Sequence, residues 1–191
     1  GSLIKKKDLE AIIIKAKKYN VKILIDEAYY EFSSYNCLNK ITKYDNLIII
    51  RTFSKIFGLA GLRAGYVVSD PKNIKKYFAI KPMYEINSIA VKAIELLLQK
   101  PNLIKSYLKE MRVGENYAKV FCKKNGYKFI KCFANFYHID FNLNPLIIQK
   151  YLVNNKILVK GGPGVSSFEN YLRISFSSKK TTSLILQKIH I

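Results

Sequence analysis

Arginine, histidine and cysteine are scarce in this chain, and long apolar runs are missing altogether. No stretch reaches the roughly 18 uninterrupted apolar residues of a membrane helix; the apolar runs present are strand-sized. Gly1-Ser2-Leu3-Ile4-Lys5-Lys6-Lys7 has charge but no apolar segment behind it, so a secretory signal is not expected there. The three cysteines (Cys37, Cys122, Cys132) are an odd number with no Cys-x-x-Cys pair. That argues against a disulfide framework or a metal site and leads us to expect a reducing, cytoplasmic setting. The two histidines, His138 and His190, have no partner pattern, so packing or surface roles are expected of both. There is no internal repeat and no low-complexity tract.

Acidic residues are also few, 13 against 33 lysines and arginines, for a formal charge of +20. A basic surface can bind a phosphate backbone. Yet only Arg51, Arg63, Arg112 and Arg173 are arginines, whereas base reading and bidentate phosphate contacts favour that residue. The lysines are scattered among many Ile, Asn and Tyr, which reads as a bias of composition. Neither a nucleic-acid nor a membrane partner is expected. With 49% hydrophobic residues, 191 residues suffice for a substantial core in one domain or in one and a smaller companion.

The order of patterns points to an α/β chain. Asp8 to Tyr19 has Leu9, Ile12, Ile13 and Ala16 at helical spacing, with lysines near its C-terminal end where cations suit the helix dipole. Val21–Ile25 reads as a short buried strand ending in Asp26-Glu27-Ala28-Tyr29, and 33–46 as a surface loop or short helix. Leu47–Arg51 and Ala64–Ser69 are further strands, the latter stopped by Asp70-Pro71. A basic, aromatic stretch then runs to residue 84, interrupted by Pro82. Ile86–Gln99 reads as a helix with Ile89, Ala90, Ala93, Leu96 and Leu97 on one side, and Leu103–Asn125 as a long amphipathic one. Beyond it the pattern becomes α+β: one or two strands over Tyr127–Phe141, a helix from Asn144-Pro145 to Asn154, and a strand Ile157–Lys160. A turn Gly161-Gly162-Pro163-Gly164, a strand Tyr171–Phe176 and a helix Thr181–Ile189 complete it. We therefore expect two domains, 1–105 around a mainly parallel sheet and a smaller α+β domain over 106–191.

The chemistry concentrates in Thr52-Phe53-Ser54-Lys55-Ile56-Phe57-Gly58-Leu59-Ala60-Gly61-Leu62-Arg63-Ala64-Gly65-Tyr66. A buried strand gives way to two hydroxyls and a lysine, then three glycines and an arginine eight positions after the lysine. Such a strand end suits anion binding at the carboxyl edge of an α/β sheet. In a parallel sheet, the preceding strand would deliver Asp26 and Tyr29 to the same edge. Read singly, each group has a plainer meaning: Lys55 a solvated charge, Asp26 a turn residue, Tyr29 a packing aromatic, and Thr52 and Ser54 hydroxyls satisfying backbone groups.

Together, Asp26-Glu27-Ala28-Tyr29, Thr52-x-Ser54-Lys55 and Gly61-Leu62-Arg63-x-Gly65-Tyr66 resemble the fold-type I, pyridoxal-phosphate-dependent aminotransferases of class I/II. The nearest branch is that of the histidinol-phosphate aminotransferases and their relatives, including threonine-phosphate decarboxylases. Ala134-Asn135-Phe136 and Leu172-Arg173-Ile174-Ser175 also fit it. The resemblance implies that Lys55 is the Schiff-base lysine, for which the chemistry needs an amine able to lose its proton. It implies that Asp26 pairs with the pyridine nitrogen of the cofactor, and that Tyr29 hydrogen-bonds its phenolic oxygen. Thr52, Ser54 and Arg63 would hold its phosphate, and Arg173 the substrate carboxylate. The implied reaction is amino transfer between small molecules, with glutamate as the expected donor, in a cytoplasmic homodimer. Decarboxylation of a phosphorylated amino acid would use the same residues. A non-catalytic module of aminotransferase fold is a further alternative.

Two departures qualify the resemblance. Members of the family are much longer, so the chain is expected to correspond to their C-terminal half and to be inactive alone. Thirteen residues before Arg173 the histidinol-phosphate branch usually has an arginine that helps bind a substrate phosphate. Here Lys160 stands in its place, keeping the charge but losing the bidentate fork.

Overall fold

A computed structural model describes residues 1–33, 35–161 and 167–189. The expected turn after Gly161, over 162–164, and His190 lie outside the described residues. The chain divides into two compact units, Ser2–Ile104 and Lys105–Ile191, the second including Gly1. Among the described residues no helix is long and apolar enough to cross a membrane.

In the first unit, helix α1 (Lys6–Lys18) precedes strand β1 (Ile23–Asp26), the short helix α2 (Tyr30–Ser33), and strands β2 (Leu47–Thr52) and β3 (Gly65–Ser69). The sheet order is β1-β2-β3. β1 runs parallel to β2 with Ile23 opposite Leu47 and Asp26 opposite Ile50, while β3 returns antiparallel with Thr52 opposite Gly65. The parallel arrangement expected from sequence thus holds for the first pair only. β3 returns antiparallel because residues 53–64 fold into a loop with a 3-10 turn over Ala60–Leu62 rather than a crossover helix.

Leu9 and Ile13 of α1 pack with Cys37, Tyr44, Leu47 and Ile49 in one core cluster. That covers one face of β1. Leu24, on the other face, is 58% exposed, so β1 is half-buried rather than buried as expected. Helix α3 (Pro71–Ile80) replaces the unassigned basic stretch: Asp70 caps it by accepting from the Lys72 N–H at 2.8 Å, and Pro71 opens it. Helix α4 (Ser88–Leu98) is capped by Asn87, which accepts from the Ala90 N–H. It buries Ala90 and Ile94, leaving Ile89 and Leu96 of the expected face exposed. Helix α5 (Pro101–Lys124) begins two residues earlier than expected, with proline in its first turn, and runs across the unit boundary.

The second unit is an antiparallel sheet with helices. Strands β4 (Lys128–Lys131) and β5 (Phe136–Asp140), helix α6 (Pro145–Asn154), strands β6 (Lys160–Gly161) and β7 (Leu172–Ser175), and helix α7 (Lys179–Ile189) follow in order. The sheet order is β4-β5-β7-β6. Tyr137, Ile139, Leu152, Leu172, Ile174 and Leu186 are among its fully buried side chains. Of the strand expected over Ile157–Lys160, only Lys160 pairs. The apolar run that suggested it leaves Leu158 85% exposed, unlike a buried strand. In α5, Gly114 is buried close to the chain of Ser177, where an added Cβ would lie 2.0 Å from the Ser177 carbonyl oxygen.

Candidate active site

In the first unit a buried ion pair ties together the two strand ends at which Asp26 and Thr52 stand. Glu27 follows the last residue of β1, and Arg51 is the penultimate residue of β2. Arg51 Nε and Nη2 donate to Glu27 Oε2 at 3.0 and 2.8 Å, and Glu27 Oε1 accepts from the Cys37 N–H. The two side chains are only 7% and 5% exposed. Arg51 Nη1 also reaches the Tyr66 hydroxyl at 3.4 Å, and its guanidinium lies 3.7 Å from the centre of the Tyr30 ring. Burial works against the Arg51 charge. Its bonds to Tyr66 and Glu27 outweigh that and hold its pKa above the ordinary value. Burial, with the charges of Glu31 and Tyr66, pushes the Tyr30 phenol up to about 12.

This pair ties the end of β1 to the end of β2, helped by the Glu27 N–H donating to the Ile50 carbonyl at 2.9 Å. Asp26 and Thr52 are the neighbours of the paired residues, so the clamp fixes where both emerge. It was missed in the sequence, although an arginine among so few, ending an apolar strand beside an acidic doublet, was its signal.

Past Thr52 the chain folds into a compact loop. The Phe53 N–H donates to the Ala64 carbonyl, the Leu59 N–H to that of Phe53, and the Gly58 N–H to that of Lys55. Gly58 has φ of +70°, a left-handed value that glycine adopts without strain. Gly65 is needed for closeness: a Cβ there would meet the Arg51 carbonyl oxygen at 2.6 Å. Gly61 has open space around it. Phe53 and Ile56 are buried on either side of Lys55, with the Phe53 ring 5.0 Å from Phe57 and 5.5 Å from Tyr66. Lys55 is therefore presented from a loop whose flanks are pinned.

Lys55 Nζ lies 5.0 Å from the centre of the Tyr29 ring, and among the described residues no carboxylate pairs with it. Asp26 is exposed, with Oδ1 accepting from the Ala28 N–H at 2.9 Å and Oδ2 without a partner among the described residues. Thr52 Oγ1 donates to the Ala64 carbonyl at 3.3 Å and accepts from the Ser54 N–H at 3.1 Å, the backbone role that was its plainer reading. Ser54 Oγ has no partner among the described residues. Arg63 is exposed in a left-handed conformation (φ 54°), and its Nη1 folds back onto the Ala60 carbonyl at 3.1 Å, with its other N–H groups unpartnered among the described residues.

The donor set fits pyridoxal phosphate. An open carboxylate oxygen suits a protonated pyridine nitrogen, a primary amine suits the aldehyde, and a hydroxyl with a guanidinium suits the phosphate.

In the second unit, Lys160 of β6 lies opposite Arg173 of β7, and Arg173 lies opposite His138 of β5. The Arg173 guanidinium sits 4.7 Å from the Phe136 ring centre and makes no ion pair among the described residues, Glu169 included. His138 Nδ1 is 3.3 Å from Cys132 Sγ. Burial, the Gly1 amine and the Arg173 guanidinium hold the imidazole pKa below its ordinary value, and burial raises that of the Cys132 thiol.

The chain is similar to proteins of one family. It is 33% identical over 189 residues to histidinol-phosphate aminotransferase 1 of Carboxydothermus hydrogenoformans, covering 99% of this chain and 52% of that protein. It is 35% identical over 193 residues to the histidinol-phosphate aminotransferase of Caldanaerobacter subterraneus subsp. tengcongensis, covering 99% and 53%. The fold is similar to the crystal structure of the histidinol-phosphate aminotransferase from Clostridium acetobutylicum, with a TM-score of 0.87 at 24% identity over 99% of this chain and 59% of that one. The chain thus spans about half the length of the curated relatives it matches. The family model for aminotransferase class I and II matches residues 1–189, and the chain belongs to that family.

Proposed function

We propose that this protein carries the cofactor lysine of a pyridoxal-phosphate-dependent aminotransferase. The reaction would move an amino group between an amino acid, with glutamate the expected donor, and a keto or aldehyde acceptor. The supporting observation is that the adjoining strands β1 and β2 end in Asp26 and Thr52, with Lys55 three residues further on and its Nζ 5.0 Å from the Tyr29 ring centre, in a chain of this family. When bound, pyridoxal phosphate supplies an electron-withdrawing ring that makes the Cα proton of an attached amino acid labile.

The residues divide the remaining work. Asp26 Oδ2 keeps the pyridine nitrogen protonated, which sustains that electron withdrawal. Lys55 would hold the aldehyde group and would supply the amine that moves the Cα proton. Tyr29 would hydrogen-bond the ring's phenolic oxygen. Ser54 and Arg63 would hold the phosphate by charge-assisted bonds. Thr52, with its hydroxyl committed within the loop, orients Ser54 through the Ser54 N–H. In the second unit Arg173 receives a carboxylate, and Lys160 opposite it favours a second negative charge, consistent with relatives named for a phosphorylated substrate.

We place the protein in the cytoplasm as a homodimer and expect the 191-residue chain by itself to lack sustained turnover. Adding pyridoxal phosphate to the purified protein should produce a visible absorption band beyond that of free cofactor, absent in Lys55→Ala. No Lys55-dependent band would instead favour a non-catalytic module. In an active full-length form, release of carbon dioxide rather than amino transfer would assign the decarboxylase branch.

A further inference from the structure

The sheet of the second unit carries a row of cations that the reading above uses only in part. Lys160, Arg173 and His138 are successive cross-strand partners over β6, β7 and β5. Directly opposed residues project to one face of a sheet, with Cα atoms roughly 4.5–5.5 Å apart. Phe136, two residues before His138 and so on the same face, supports the Arg173 guanidinium and meets the His138 ring edge-on at 5.5 Å and 84°. Phe168 covers the imidazole at 4.8 Å. The groups facing His138 are the Cys132 thiol at Nδ1, the Gly1 amine and the Arg173 guanidinium. Burial disfavours the protonated imidazole most, and the positive charges beside it, the Arg173 guanidinium among them, add to that.

An anion seated on Arg173 would cancel part of that repulsion. We propose that His138 is a positioning residue that couples anion binding at Arg173 and Lys160 to proton uptake, so that this face takes doubly negative ligands more tightly as pH falls. The inference rests on the reading of Arg173 and Lys160 as an anion-holding pair. Coupling is reciprocal: whatever factor the anion adds to the proton affinity of His138, the proton returns to the anion. For a doubly negative anion about 7 Å from the imidazolium in a half-solvated setting, that factor is roughly ten- to fiftyfold. Histidine is the side chain able to act this way near neutral pH.

Sulfate is the probe, because it stays doubly charged throughout the range. The whole chain is titrated by proton NMR with sulfate and with chloride at matched ionic strength. Only two histidines contribute ring signals, and a His190→Gln variant identifies that of His138. Sulfate should move the His138 titration to higher pH, with affinity several-fold greater at about pH 5.5 than at about pH 7.5 and approaching the full factor only as pH falls further. Arg173→Gln should abolish the movement, and His138→Gln should keep sulfate binding while losing its pH dependence. Sulfate that binds through Arg173 yet leaves the His138 titration in place overturns the coupling alone. Failure of sulfate to bind at all overturns the anion-pair reading and the coupling with it.

Discussion

Replacing Glu27 by Gln should be among the most damaging single changes in the first unit. The carboxylate takes two N–H groups of Arg51 on one oxygen and the Cys37 N–H on the other, with both paired side chains almost wholly buried. Gln keeps the size and one acceptor but leaves the guanidinium buried without its counter-charge. Breaking a buried pair from one side costs about 3–5 kcal/mol, a large part of the 5–15 kcal/mol by which domains are typically stable. Tyr66 and the face of Tyr30 still engage Arg51, which points to the lower end. Arg51→Met should cost a similar amount, because it strands the carboxylate instead. The double variant Glu27→Gln/Arg51→Met removes both charges and should be less destabilised than the sum by about 1–3 kcal/mol. Urea unfolding of the four proteins, followed by circular dichroism, measures this cycle. A Glu27→Gln cost below about 1 kcal/mol, or simple additivity of the two changes, would refute the clamp.

Other consequences are as concrete. Gly114→Ala should destabilise the second unit although alanine favours a helix by about 1 kcal/mol, because the new Cβ would collide with the Ser177 carbonyl; a raised melting temperature would contradict this. His138 holds its proton less tightly in the folded protein than the ordinary value of 6.5. Folding stability should therefore fall as pH drops below that value, because the unfolded chain binds the proton better. His138→Gln should flatten the acid side of a stability profile taken by urea denaturation, and an unchanged slope would count against it. Supplied with pyridoxal phosphate, glutamate and a keto or aldehyde acceptor, the 191-residue chain should give no sustained turnover; steady product formation would show that it needs nothing further.

The sequence marked the candidate site better than its supports. Asp26, Lys55 and Arg63 stood out as candidates because their motifs taken together resemble the class I/II aminotransferases, whereas each read singly had a plainer meaning. Glu27 and Arg51 were not singled out, since an ion pair is a property of two strands brought into register. The same holds for His138, whose neighbours Arg173 and Cys132 come from a different strand and from the loop beyond β4. Local signals erred where tertiary context outweighed them. Ile157–Val159 reads as a strand yet stays unpaired, and Ile89 lies on the face expected to be buried yet is exposed. Asp70-Pro71 was read as a stop for β3 and is also the cap that starts α3.

The most direct test of the central claim is covalent trapping. Pyridoxal phosphate is added to the protein, the adduct is reduced with borohydride, and peptides are mapped by mass spectrometry. Lys55 should carry the reduced cofactor out of 29 lysines in the chain, and Asp26→Asn should lower its yield while leaving the fold intact. Labelling spread over surface lysines, undiminished in Lys55→Ala, would contradict the assignment.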